Sequence, residues 1–80
     1  MTYIYILKLN RKTFYTGITN CLFRRMRQHH SHQSKSTAKA SCIELIHVEC
    51  NYSRKEARKK EVYIKNKGAK RYLRSISLNF

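Results

Sequence analysis

The charge imbalance constrains this chain more than any other feature. Eighteen Lys and Arg stand against four acids in 80 residues, for a formal net charge of +14 and a pI near 10.2. Such a fold must keep its cations in water, because a buried charge without a partner is strongly unfavourable. The core has to come from the 41% of residues that are hydrophobic. A single domain over residues 1–80 is expected, since domains run from about 50 to 250 residues. A chain this short buries only about 60% of its unfolded surface, too little for a deep cavity around a large cofactor. A basic surface this dense points to a polyanion, most often nucleic acid. The acids are Glu44, Glu49, Glu56 and Glu61, with no Asp. An active site of three or four carboxylates around two metal ions is therefore excluded. Any metal chemistry must run on one carboxylate, or two at most.

Three cysteines (Cys21, Cys42, Cys50) are an odd count without paired spacing and read as reduced thiols. His29, His30, His32 and His47 lack the C-x-x-C or H-x-x-x-H pairing of a zinc site. The apolar runs are far shorter than the roughly 20 residues that span a bilayer, and no basic start followed by an apolar stretch marks a signal peptide. The expectation is a soluble cytoplasmic protein without membrane contact, nuclear in a eukaryotic host.

Residues 3–9 are rich in aromatic and β-branched types and read as a strand, as do Thr13 to Ile18 after a polar turn at 10–12. The two form an antiparallel hairpin. Gly17 sits where strand gives way to helix, a place for a tight turn or a close backbone approach. Thr19 or Asn20 can cap a helix over Cys21–His30, with Leu22, Met26 and His29/His30 on one face and Arg25 at its edge. Residues 31–41 form a polar basic loop and 42–50 a third strand. A second helix opens at Ser53-Arg-Lys-Glu56, a capping-box spacing. It runs to about Lys67, with Gly68 as C-cap, and a last helix covers about Ala69 to Ile76. The fold class is α+β: a small three-stranded antiparallel sheet flanked by about three helices, in the order β-β-α-β-α-α.

On the second helix Ala57, Glu61 and Ile64 share a face, and Val62 and the ring of Tyr63 are further candidates for burial. Glu61 is thus an acid on the apolar stripe of a basic helix. It must either pair with an Arg or Lys or hold a metal.

Two strand motifs, Tyr3-Ile4-Tyr5 and Tyr15-Thr16-Gly17, stand ahead of Arg25, His29 and, far downstream, Glu61. This ordered set resembles the GIY-YIG nuclease superfamily over about residues 3–73, most closely its small stand-alone members and the nuclease domains of the UvrC-type and SLX-type repair endonucleases. The resemblance implies catalytic roles for Tyr5, Tyr15, Arg25, His29 and Glu61 and a structural role for Gly17. It also implies one divalent ion, Mg²⁺ or Mn²⁺, on Glu61. In that family a water attacks the phosphodiester, a tyrosine helps to activate or orient it, the Arg supports the phosphate and the ion stabilises the leaving oxygen. The chain departs from the pattern at Tyr3 (in place of Gly), Thr16 (in place of Ile) and Ile18 (often polar or Lys). Asn66 and Lys67 are weak matches to a downstream Asn.

Elementary chemistry agrees. One Glu can hold Mg²⁺ with waters in the other positions, Arg25 can fork onto a phosphate, and His29 at i+4 reaches the same place. A tyrosine with an ordinary pKa near 10 must be depressed by neighbouring cations or a metal-bound water to serve as a base. The cations expected to meet nucleic acid are Arg24, Arg27, Lys35, Lys39, Arg58, Lys65 and Lys67. Tyr3, Phe14 and Tyr72 suit either base stacking or the core. A metal-dependent DNA endonuclease with a structure-dependent or single-strand preference is the leading reading. RNA stays open as a substrate, and a partner protein is a possible source of specificity. A non-catalytic basic DNA- or RNA-binding module is the alternative, and the two differ at Glu61, which a pure binder has no use for because it repels phosphate.

Overall fold

The computed structural model describes residues 1–10, 13–31 and 42–76. The chain runs β1 (Thr2–Leu9), β2 (Thr13–Thr19), α1 (Leu22–His30), β3 (Ile43–Tyr52), α2 (Arg54–Lys67) and α3 (Ala69–Ser75). Ile4, Tyr5, Ile6 and Leu7 are all fully buried, which requires a strand covered on both faces and explains their unbroken apolar run. β1 is accordingly the central strand of an antiparallel sheet ordered β2-β1-β3. The even residues Ile4 and Ile6 face Ala57, Ile64, Tyr72 and Leu73 of α2 and α3. The odd residues Tyr5, Leu7 and Leu9 face Leu22 and Met26 of α1. The α+β architecture and the element order are those read from the sequence.

Asn10 closes β1 at φ 49, a left-handed conformation that Asn tolerates better than most residues. Its backbone N–H donates to the Cys42 carbonyl and its Oδ1 accepts from Cys42 N–H, both at 3.1 Å. One residue thus ties the hairpin end to the start of β3. Two register shifts between β1 and β3 place an extra residue on the β3 side each time, as β-bulges do.

Helix boundaries follow their chemistry, with one correction. Ser53 caps α2 by accepting from Glu56 N–H at 3.2 Å, and its hydroxyl donates to the Glu56 carboxylate at 3.0 Å. The N-cap of α1 is Cys21, without a side-chain hydrogen bond. Neither Thr19 nor Asn20 takes that place: Thr19 ends β2 and its Oγ1 accepts from Cys21 N–H at 3.1 Å, while Asn20 Oδ1 accepts from Arg24 at 3.2 Å. Gly68 separates α2 from α3 at φ 95, in the region that favours glycine.

Ala57, Glu61 and Ile64 are the buried residues of α2. Val62 and Tyr63 are not: they turn away from that stripe and are 41% and 50% exposed. Tyr72 belongs to the core and is 3% exposed, so it presents no face for stacking a base, while Phe14 is partly buried and packs against that core. Leu73→Ala, at a fully buried position, is expected to cost about 2–5 kcal/mol, measured as a shift of the urea midpoint without a change of slope.

Candidate active site

Tyr5 organises the site. It pairs with Gly17 across β1 and β2, and its ring lies on the backbone there. A Cβ at position 17 would fall 2.5 Å from Tyr5 Oη and 2.6 Å from Cζ. Gly17 is needed for this close approach rather than for a turn, since it lies within β2 and takes no positive φ. The phenol then reaches α1. Tyr5 Oη lies 2.8 Å from His29 Nε2 and accepts from Arg25 Nε at 3.2 Å. Arg25 Nη1 donates to Gln28 Oε1 at 3.0 Å. The Tyr15 ring, two residue pairs along the hairpin, is 6.2 Å from the Tyr5 ring and 5.4 Å from the His29 ring, centre to centre.

Burial decides the protonation states. It pushes the Tyr5 phenol up to about 12, against the lowering effect of the Arg25 hydrogen bond. It pulls His29 down to about 4, helped by the charges of Arg25 and His30. The hydrogen bond to Tyr5 raises the pKa of Arg25. At neutral pH the cluster is therefore a phenol, a neutral imidazole and a guanidinium. Arg25 can only donate, so the Tyr5 hydroxyl proton is the one available to His29 Nε2. For Tyr5 this reverses the expected depression of a tyrosine pKa by neighbouring cations.

Glu61 approaches from the other face of the sheet. Its side chain is 6% exposed, Oε1 meets Arg58 at 2.7 Å and Oε2 meets Lys65 at 3.2 Å. Lys65 Nζ also lies 5.8 Å from the centre of the Tyr15 ring. Lys65 thus lies between the Glu61 carboxylate of α2 and the Tyr15 ring of β2, the sheet's edge strand. Both readings of Glu61 meet here, since it is paired and yet its partners Arg58 and Lys65 are 66% and 49% exposed. Those cations can swing into water and leave a hard, enclosed carboxylate, a donor that suits Mg²⁺ with waters filling its other positions. Among the described residues no three His, Cys or Glu converge.

The basic residues divide. Arg58 and Lys65 bind Glu61. Arg24 donates to Asn20, Arg27 lies over the Phe23 ring, and Lys67 donates to Tyr63 Oη at 3.4 Å. Lys35 and Lys39 lie outside the described residues. Gln28, which holds Arg25, was not foreseen, and its i+3 spacing from Arg25 was the available signal. A second polar cluster was also not foreseen. His47 Nε2 is 2.9 Å from Glu49 Oε2, and Tyr72 donates to the same oxygen. His47 and Glu49 alternate along β3, so a shared face was readable, but the Tyr72 partner was not.

The GIY-YIG catalytic domain model matches residues 1–73, and the chain belongs to that family. It is 35% identical to a UPF0213 protein of Clostridium perfringens over 78 residues, covering 96% of this chain and 84% of the relative. It is 34% identical to a UPF0213 protein of Haloquadratum walsbyi, covering 80% and 73%. The solution structure of a UPF0213 protein from Bacillus halodurans superposes with a TM-score of 0.59 at 28% identity, over 96% of this chain and 84% of that one. Membership implies a nuclease-type function in a family that generally uses divalent metals.

Linkage gives the cluster a pH signature. An unfolded His has a pKa near 6.5, well above the folded value of His29. The unfolded state therefore binds more protons between about pH 6.5 and 4, and stability falls as pH falls through that window. His29→Gln should remove this part of the slope, so wild-type and variant urea midpoints converge towards pH 4. Parallel curves would show that His29 is not held neutral.

Proposed function

We propose that this chain is a metal-dependent endonuclease that hydrolyses DNA phosphodiester bonds, with a structure-dependent or single-strand preference. The observation that carries the reading is the enclosed Glu61 carboxylate, linked through Lys65 to Tyr15 and so to Tyr5, His29 and Arg25. A carboxylate beside a phosphate-binding surface weakens binding, so it is explained by chemistry rather than by affinity.

A divalent ion on Glu61 would supply charge relief at the leaving oxygen of the phosphodiester. Arg25, fixed at Nε by Tyr5 and at Nη1 by Gln28, supports the phosphate with a guanidinium that needs no reorganisation. Tyr15 is half-buried beside Lys65 and orients the attacking water. Tyr5 is wholly enclosed and acts as a positioning residue, holding Arg25 and His29 at one oxygen. His29 stays neutral and keeps the Tyr5 hydroxyl aligned.

The strand preference rests on size. An 80-residue basic surface has little room to read base edges, which typically needs an element seated in the major groove. No helix among the described residues is long and apolar enough to cross a membrane. A cytoplasmic location, and a partner protein that adds specificity, complete the proposal.

The non-catalytic binding module remains a distinct reading because Glu61 already has two cationic partners. Glu61→Ala separates the two. With end-labelled single-stranded, duplex and branched DNA and with RNA, Mg²⁺-dependent cutting should be lost in the variant, while binding in EDTA stays equal or tightens. Binding without cutting by the wild type on every substrate would favour the module. Affinity should also depend on salt: with roughly six phosphate contacts it falls about a thousandfold from 50 to 200 mM. A flat titration would show that phosphates do not dominate.

A further inference from the structure

Phe23 stands on the outer side of α1 and is 75% exposed. A lone exposed ring is ordinary on a protein surface, but the neighbours of this one are not. Arg27, one turn on, holds its guanidinium 5.9 Å from the ring centre. Arg24, Arg27, Gln28 and Ser31 line a surface recess of about 320 Å³. Arg24 is steadied there by Asn20. Ser31 spends its hydroxyl proton on the Arg27 carbonyl at 2.8 Å, so the two arginines supply the recess with its charge. Gln28 connects this recess to the active site: its Oε1 accepts from Arg25, which commits the amide oxygen inward and leaves the –NH2 as a donor for the recess.

At 3.6 residues per turn, Arg25, Gln28, Arg24, Arg27 and Phe23 follow one another around the helix. From Arg25 to Phe23 they cover about 200° of the helix surface, in the order guanidinium, amide, two guanidiniums and an aromatic face, with the recess between the two ends. An anionic strand with flat bases fits that order: phosphate, phosphate, then base on ring. A closed duplex does not, because its bases are already stacked on each other.

We propose that Phe23 is a stacking platform for an unpaired base of a DNA strand whose backbone crosses the Arg24–Arg27 recess on its way to Arg25. The track rests on the nuclease reading for the place of the scissile phosphate, and it accounts for a single-strand or branched preference. Phe23 and Arg27 form the platform, and Arg24 and Gln28 guide the backbone to it.

The test uses the whole chain in EDTA, so that no strand is cut. The probes are a short single-stranded DNA carrying 2-aminopurine throughout and a blunt duplex of related sequence. The wild type is expected to change the 2-aminopurine fluorescence of the single strand on binding. Phe23→Ala should lose that change and bind the single strand about tenfold more weakly, with duplex binding unaltered. Phe23→Tyr should keep both properties. Phe23→Leu, which retains apolar bulk without a ring, should behave as Phe23→Ala and carries the test if the alanine variant does not fold. Equal weakening for single strand and duplex, or no effect on either, overturns the proposal. So does a Phe23-dependent self-association with no fluorescence change, which would assign the ring to a second copy of the chain. The two readings fail separately. Mg²⁺-loaded wild type that cuts no DNA but keeps the fluorescence change overturns the nuclease and leaves the platform. Cutting without the change overturns the platform alone.

Discussion

Tyr5 lies across the backbone of Gly17, and the rest of the site is arranged around that contact. The ring can reach α1 only because position 17 has no Cβ to stop it. From there a single phenolic oxygen receives Arg25 and faces His29. The central strand of the sheet therefore does two jobs with alternate residues. Ile4 and Ile6 close the core under α2 and α3, while Tyr5 on the opposite face sets the geometry of the cluster under α1. Neither job can shift register without the other, since a slip of one residue exchanges the two faces.

The charge arrangement follows from the shortage of acids. Glu61 is enclosed among cations on a helix that has Arg54, Lys55, Arg58, Lys59, Lys60 and Lys65 around it. Its two partners reach it from exposed positions three and four residues away, so the pairings are local and replaceable. Glu49, the other partly enclosed acid, is held by His47 and by Tyr72 of α3. It serves the opposite edge of the sheet, where it joins β3 to the last helix.

Much of this was legible in the sequence, for physical reasons. The apolar run in β1 and the β-branched types in β2 and β3 specify strands directly. The spacing of Ala57, Glu61 and Ile64 specifies which face of α2 is buried. Gly17 marked a close approach, although its partner could not be named from spacing. What escaped depends on contacts distant in sequence or on competition for burial. Val62 and Tyr63 lost that competition to their neighbours on the helix. Tyr72 was taken in by β3 and α2. The direction of the Tyr5 shift needed the depth of the ring, which no motif encodes. The N-cap of α1 moved because Thr19 remained in the strand and turned its hydroxyl to Cys21.

α1 has nine residues, no side-chain cap and no acid in its first turn. A helix that short is marginal in isolation, and it stays in place through Leu22, Met26 and the two side chains that meet Tyr5. Those last two, Arg25 and His29, also belong to the candidate site. Assembly of the site and ordering of the helix are therefore one opening equilibrium rather than two. Amide protons of α1 report on both, and hydrogen exchange along this helix would register a loosened cluster as readily as a frayed segment. Lost activity after a change at Arg25 or His29 thus measures the docking of a helix together with the removal of a functional group.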